Sequence, residues 1–261
     1  MKSPLQTLLL PAALLLLPCA GAQATAITGW LATDSDTITD AGTSAPNFAP
    51  GSGGGLGGGL YAPLSPVTLS SMAVGDTLKL TASFQVVGGA TSAGVGDQGI
   101  RFGLFDSNNL SSFNGWSGYL ITVRTNNAQT IFERTGSPNT VDFGSTTNAG
   151  LLIGPNTFSS PINDANYNVT LSLTRTAAGL SIGTTVSNDN GYSINLAGFE
   201  DASLQSNLGV FDRVGFVFTT GFAVDNAIFS SVDVSLIPVP EPAGVTLLLA
   251  ALLPLGMRRR R

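Results

Sequence analysis

The chain has 261 residues, of which only 10% are charged and 32 are glycine, and it contains one cysteine and no histidine. The lack of histidine excludes the Ser-His-Asp and Cys-His mechanisms and every His-ligated metal site. Residues 25–237 contain 15 acidic and 6 basic side chains, and an acidic body without a basic patch argues against nucleic acid as a partner.

Residues 1–24 have the features of a secretory signal peptide. Lys2 supplies a positive charge, Leu8 to Leu17 is almost entirely apolar, and small residues stand near Ala22 and Ala24. This pattern suits signal peptidase, and we expect export with cleavage after Ala22 or Ala24. The alternative is a buried core helix. Cys19 lies in this segment, so the exported body has no thiol and no disulfide.

Three carboxylates follow early in the body. Asp34, Asp36 and Asp40 offer hard oxygen ligands within seven positions, which makes them a candidate Ca²⁺ site. The spacing is not that of an EF-hand, and solvated turn residues are the alternative. We expect no other cofactor.

Residues 51–59 are rich in glycine. They lack the Gly-Lys-Ser/Thr of a phosphate-binding loop, so nucleotide binding is not expected. We interpret them as a flexible loop between an N-terminal strand near Ile27 to Ala32 and the main part of the body. Residues 25–237 are expected to form one domain.

Alternation of apolar and polar residues predicts β-strands, because successive side chains of a strand point to opposite faces. The alternating segments are 77–87, 119–124, 167–174, 180–187, 214–218 and 231–236. Turn sequences at Thr176–Gly179 and Asn188–Gly191 separate some of them. One-sided apolar faces need a second sheet to cover them, and no amphipathic helix is apparent, so we predict an antiparallel β-sandwich or jelly roll.

The body resembles the concanavalin A-like sandwiches of lectins and glucanases. The resemblance rests on strand patterns at 75–86, 100–107, 167–175 and 224–236, and it covers most of residues 65–237. It implies a fold and not a function, since one fold carries many functions.

An aromatic cluster in this body is a candidate glycan-binding site. Phe113, Trp116 and Tyr119 lie close together in the sequence, and Asn114 is the nearest polar partner. Exposed aromatic rings can stack on the apolar face of a sugar, while amides bond its hydroxyl groups. The alternative is that Trp116 and Tyr119 pack in the core.

Catalysis is not expected. Glycoside hydrolysis needs two carboxylates across a cleft, and Glu133 and Glu200 are the only glutamates of the body. They do not form the Glu-x-Asp-x-x-Glu pattern of the laminarinase-like sandwich enzymes. We therefore predict that the chain is not an enzyme.

The C-terminal segment, residues 238–261, combines a proline-rich motif, an uncharged stretch at 243–257 and a terminal arginine cluster. A helix of 15 residues would span about 23 Å, less than the ~30 Å hydrocarbon core, but snorkelling arginines and a thinned bilayer allow insertion. The arginines favour a cytoplasmic C-terminus. The residues of the motif and the cluster are Val239, Pro240, Glu241, Pro242, Arg258, Arg259, Arg260 and Arg261.

This segment resembles the PEP-CTERM sorting signal of Gram-negative bacteria, with Pro240, Glu241 and Pro242 as the motif core. The resemblance implies recognition by an exosortase, an integral membrane Cys protease or transpeptidase, and removal of the tail. It also implies a final location at the cell surface or outside the cell, often beside exopolysaccharide. The alternative is a plain membrane anchor without processing.

Together these features predict an exported, non-catalytic protein of the surface or extracellular matrix that binds glycan or exopolysaccharide. It would cross the inner membrane, contact signal peptidase and exosortase, and reside in that membrane only transiently. A secreted polysaccharide hydrolase or lyase on the same sandwich and a ligand-free structural matrix protein are the alternatives.

Overall fold

The computed structural model describes residues 23–51, 58–88, 90–91, 99–124, 128–135, 142–146, 149–157, 163–201, 209–219 and 222–239. The expected signal peptide up to residue 22, the expected membrane helix at 243–257 and the rest of the sorting segment from residue 240 lie outside the described residues. Within those ranges no helix is both long and apolar enough to span a bilayer. The helix found there is a 3₁₀ turn at Leu69–Ser71.

The first large sheet has eight antiparallel strands. They are β1 (Gln23–Ala26), β3 (Thr37–Thr39), β4 (Asn47–Ala49), β6 (Thr77–Val87), β12 (Ala165–Arg175), β13 (Leu180–Asn188), β14 (Ser193–Asp201) and β17 (Asn226–Ile237). Their order is β14-β13-β12-β6-β17-β4-β3, and β1 pairs with the later part of β17. β6 lies at the centre of this sheet, where it forms the two longest strand pairings, with β12 and with β17.

The second large sheet has seven antiparallel strands. They are β2 (Leu31–Ala32), β5 (Gly58–Thr68), β8 (Gly99–Asp106), β9 (Ser117–Arg124), β10 (Ala128–Thr135), β11 (Ala149–Thr157) and β15 (Val210–Phe218). Their order is β11-β10-β9-β8-β15-β5-β2. Two short strands, β7 (Ala90–Thr91) and β16 (Phe222–Ala223), pair with each other.

The main core lies between the two large sheets. The apolar face of β6 is buried at every second residue from Leu78 to Val86, as the alternation predicts. Phe229 of β17 lies 5.0 Å from both Phe84 of β6 and Phe216 of β15 in ring-centroid distance. Burial of each such ring contributes about 1.5–3 kcal/mol to the free energy of unfolding. These aromatic contacts therefore stabilise the packing of one sheet on the other. The predicted antiparallel β-sandwich is confirmed.

Both predicted turns connect the strands expected of them. The Thr176 hydroxyl accepts hydrogen bonds from the N–H groups of Ala178 and Gly179, which closes the β12–β13 hairpin. Gly191, with φ +86°, ends the turn between β13 and β14, a conformation that glycine adopts without steric cost.

Two expectations about the body need correction. The segment 119–124 was expected to bury one face, but β9 is buried on both faces through Val123. The glycine-rich loop was expected to extend to residue 59, but Gly58 and Gly59 are buried residues of β5. In both cases a segment from elsewhere in the chain covers the residues. Residues 52–57 of the loop lie outside the described ranges.

Candidate functional site

The predicted glycan-binding residues do not share one surface. Tyr119 is fully buried, because its side chain points from β9 into the space between the sheets. Trp116 is 1% exposed and packs on the other side of the same sheet. Only Phe113 and Asn114 keep partial exposure. The expectation that all four form an exposed aromatic face is therefore wrong for Trp116 and Tyr119, which cannot stack on a sugar while buried.

Trp116 belongs to a second apolar cluster on the outer face of the seven-stranded sheet, which we call the outer aromatic cluster. Its ring is stacked on Phe143 at 5.2 Å, and Tyr61 meets Trp116 edge-on at 5.1 Å. Glycine in the sheet makes room for this layer: a Cβ on Gly215 would lie 2.3 Å from Cε2 of Phe143. The cluster consists of Phe105, Trp116, Leu120, Phe132, Phe143 and Val217, with Tyr61 and Phe113 packed against it.

A short segment, residues 142–146, covers part of this cluster, and we call it the strap. Two buried arginines of the sheet bind its backbone: Arg101 donates to the carbonyl of Gly144 at 2.6 Å, and Arg134 donates to the carbonyl of Ser145. Arg134 also donates to the carbonyl of Trp116 at 3.3 Å. The two arginines thus hold the strap and the segment at Trp116 against the sheet.

Asp142 at the start of the strap supplies the opposite charge. Its carboxylate accepts the N–H of Gly144 at 2.7 Å. Burial raises the pKa of Asp142, although this hydrogen bond and the nearby Arg134 act in the other direction. Burial also lowers the pKa of Arg134 to about 10. Desolvation therefore outweighs charge pairing at both groups.

The exposed border of the cluster combines aromatic and polar groups, and we call Tyr61, Phe113, Asn114 and Arg213 the aromatic rim. Tyr61 and Phe113 have ring centroids 6.3 Å apart. The Arg213 guanidinium lies 5.9 Å from the Trp116 ring and forms a 3.2 Å ion pair with Asp212. Burial raises the pKa of Tyr61, and the Arg213 cation opposes this rise, as expected for neighbours.

This rim can perform the two contacts that sugar recognition requires. Partly exposed rings present an apolar surface, while the amide of Asn114 and the guanidinium of Arg213 present donors at its edge. Sequence reasoning identified Phe113 and Asn114 but missed Tyr61 and Arg213. Tyr61 lies in β5 and Arg213 in β15, and their proximity depends on pairing between strands about 150 residues apart, which no local pattern reveals.

The candidate Ca²⁺ residues perform a different task. Asp36 Oδ1 accepts the N–H of Gly51 at 2.6 Å, and Oδ2 accepts the N–H of Gly59 at 2.8 Å and the Thr33 hydroxyl at 3.0 Å. Asp34 and Asp40 occupy left-handed turn positions with φ +49° and +58°. In the ranges given above, no group of three acidic or cysteine side chains can hold a metal. The residues present do not fit a Ca²⁺ site, and the alternative of turn residues is favoured.

The two glutamates lie in different sheets. Glu133 is 4% exposed in β10, directly opposite Tyr119 in the register, so its side chain lies on the inner face. Glu200 lies in β14 of the eight-stranded sheet, opposite Ser181. Because Glu133 is buried, it does not face an open cleft, as a carboxylate in glycoside hydrolysis must.

Of the sorting motif, only Val239 lies within the described residues. Its N–H donates to the Asp76 carboxylate at 3.0 Å, and the other oxygen of Asp76 accepts the N–H of Ala73. Pro240, Glu241, Pro242 and the four arginines lie outside the described ranges. Recognition by an exosortase stays a prediction.

Comparison with known protein families gives no matching family model, and comparison with curated protein sequences gives no match. Solved structures with the same fold are found. Arcelin-5, a lectin-like defense protein from Phaseolus vulgaris, is 9% identical with a TM-score of 0.55, and the basic winged bean lectin with Tn-antigen is 12% identical with a TM-score of 0.54. The Lotus tetragonolobus seed lectin is 10% identical with a TM-score of 0.51.

Each of these likenesses covers 84% of this chain and 100% of the other chain. At such low identity they show the fold alone. They confirm the concanavalin A-like sandwich that the strand pattern resembles.

Proposed function

We propose that this chain is an exported, non-catalytic glycan-binding protein of the cell surface or extracellular matrix. The aromatic rim carries the proposal, because it joins partly exposed rings to amide and guanidinium donors on a lectin-like sandwich. The structural neighbours are lectins or lectin-like, and the winged bean protein was solved with Tn-antigen. These likenesses support a saccharide ligand.

The route to the surface rests on the two chain ends. The signal-peptide pattern of residues 1–24 sends the body across the inner membrane, and the Pro240-Glu241-Pro242 segment is the substrate of an exosortase. The uncharged stretch at 243–257 holds the chain in that membrane until the tail is removed, with the arginines on the cytoplasmic side.

The binding claim is tested on a glycan array with the exported protein and its F113A variant. Phe113 is partly exposed, so its truncation removes a stacking surface without opening the main core. We expect wild type to bind a defined set of glycans and F113A to bind at least one of them 10-fold more weakly or worse. The matched control is F48A, which removes an equally large ring from the core between the sheets and should reduce stability instead.

A reducing-sugar assay on the bound glycans separates the alternatives. Binding without release of sugar ends agrees with the proposal, whereas turnover would identify a hydrolase. A lyase would be seen as new unsaturated ends in the same samples. A blank array together with self-assembly would identify a ligand-free matrix protein.

Export and sorting are tested independently of binding. A reporter fused after Leu236 should be active outside the cytoplasm. The measured mass of the surface-associated protein should be that of a chain without the four terminal arginines. A cytosolic reporter would refute export, and an intact tail would refute processing.

A further inference from the structure

We propose that the outer face of the eight-stranded sheet carries a second binding site, specific for a neutral saccharide chain. A groove of about 340 Å³ lies there across β12, β6 and β17. It is separate from the aromatic rim, which belongs to the other sheet. The side chains that line its walls are Ser83, Gln85, Asn166, Asn168, Ile228 and Ser230.

A β-bulge shapes the groove. The register of β17 against β6 shifts between Phe229 and Ser231. At the same place β17 changes its other partner, from β4 before the bulge to β1 after it. A bulge adds one residue and redirects side chains, and here Ser230 is the added residue, with its hydroxyl donating to the carbonyl of Ser83 at 3.1 Å.

The register places the polar groups in two parallel rows. Asn166, Gln85 and Ile228 are directly opposite one another across three strands. Asn168 and Ser83 form the next row. Strands are about 4.8 Å apart, and residues two positions apart on one strand are about 7 Å apart. The two rows therefore bound an area comparable to one or two sugar rings.

Hydrogen bonds within the groove fix what its amides present. Asn168 Oδ1 accepts the Ser83 hydroxyl at 2.6 Å, so the amide nitrogen of Asn168 is left as donor. Asn166 donates its amide nitrogen to Asp189 at 2.6 Å, so its oxygen is left as acceptor. An oriented donor and an oriented acceptor on one strand suit the hydroxyl groups of a saccharide.

The charge and the apolar part of the lining identify the ligand class. None of the residues that line the groove is charged, so an ionic ligand would gain no partner there. Ile228, 41% exposed, gives an apolar contact for the C–H face of a sugar ring.

The test measures binding of neutral and anionic saccharides to the exported protein by calorimetry. The neutral probes are cellohexaose, laminarihexaose and dextran, and the anionic probe is alginate. The F113A background removes the rim, so that failure of the groove is distinguished from failure of the rim. In this background we expect a neutral probe to bind and alginate not to bind.

The groove variant is N168A, and its matched control is S172A, which lies on the same strand and face but outside the groove. N168A should weaken neutral-saccharide binding at least 10-fold, while S172A should change it less than twofold. Far-UV circular dichroism should be the same for both. The proposal is overturned if no neutral probe binds the F113A protein, if N168A binds as well as S172A, or if N168A alters only self-association in sedimentation.

Discussion

At the residue scale, Asp36 is the clearest case of a side chain whose task depends on remote backbone. It accepts hydrogen bonds from the N–H groups of Gly51 and Gly59. Burial raises its pKa, and those two hydrogen bonds act against the rise. A Cβ on Gly58 would lie 2.8 Å from Asp36 Oδ1. Glycine is therefore needed at residue 58 so that the backbone can pass this close to the carboxylate.

Replacing Asp36 should destabilise the body without involving metal. D36A leaves the Gly51 N–H and the Thr33 hydroxyl without their acceptor, while the Gly59 N–H keeps Thr33 Oγ1. An unsatisfied donor costs about 1–3 kcal/mol when it is buried. We expect a loss of that size in the free energy of unfolding, measured with urea. The control D34N keeps a residue that tolerates the left-handed backbone and should change little. A Ca²⁺-dependent rise in the unfolding midpoint that D36A abolishes would contradict this assignment.

Asp142 makes a prediction about pH. Its folded-state pKa is raised by burial above about 3.9 in the unfolded chain, so this group binds its proton more tightly when folded. Its contribution therefore lowers the free energy of unfolding as the pH rises through the raised pKa. D142N keeps an oxygen for the Gly144 N–H but has no charge to desolvate.

We expect D142N to be at least as stable as wild type at pH 7, with its advantage shrinking as the pH falls toward 3. The measurement is urea unfolding of both proteins across this range. A D142N protein that is less stable than wild type at pH 7 would show that pairing with the arginines outweighs desolvation.

At the element scale, the seven-stranded sheet differs from the eight-stranded sheet in what covers it. The strap and residues 107–116 lie over the outer face of β8, β9 and β15, whereas β6, β12 and β17 keep a polar outer face. The reason is visible in the side chains. Gly103 and Gly215 lie at the centre of the covered face of the seven-stranded sheet. Aromatic rings of the outer aromatic cluster fill the space that larger side chains at these two positions would occupy.

A methyl group in that space should loosen the strap. G215A would place its Cβ 2.3 Å from Cε2 of Phe143, and overpacking of this kind costs about 1–3 kcal/mol. We expect this loss in urea unfolding, together with a changed near-UV signal of the stacked Trp116. G42A is the matched control, because no atom lies within 4 Å of its Cβ. Equal stability of the two variants would refute close packing of Phe143 on the sheet.

At the scale of the whole molecule, the body begins and ends in the middle of one sheet. β1 pairs with β17 from Gln23 opposite Leu236 to Ala26 opposite Asp233. Cleavage after Ala22 would leave β1 complete, whereas cleavage after Ala24 would remove two of its four residues. β17 ends at Ile237, and Asp76 binds the N–H of Val239.

The described contacts thus define where the body ends. We expect a chain that stops after Val239 to unfold at the same urea midpoint as the full chain, since it keeps every pair of β17. A chain that stops after Val234 loses the pairs of Ser235, Leu236 and Ile237 with β6 and those of Ser235 and Leu236 with β1. It should be less stable by more than about 2 kcal/mol, since buried apolar area is lost too. A lower midpoint for the Val239 chain would show that the sorting segment helps to stabilise the body.

Sequence patterns predicted the strands β6, β8, β9, β12, β13, β15 and β17 and the turns on both sides of β13, because alternation and turn chemistry are local properties. The segment from Tyr167 to Leu173 needs no knowledge of its neighbours to show which face is apolar. The same reasoning failed for Trp116 and Tyr119. Their aromatic character fits an exposed sugar platform and a buried core equally well, and local periodicity does not distinguish the two.

The sequence by itself therefore determined seven of the strands and the sandwich class, and its export and sorting signals stay predictions. Tertiary structure decided which faces are open: it buried Trp116 under the strap, joined Tyr61 to Arg213, and opened a groove beside Ser230. The physical reason is the distance along the chain over which each property is determined. A side chain's direction follows from a period of two residues, but what covers that side depends on pairing between segments far apart in the chain.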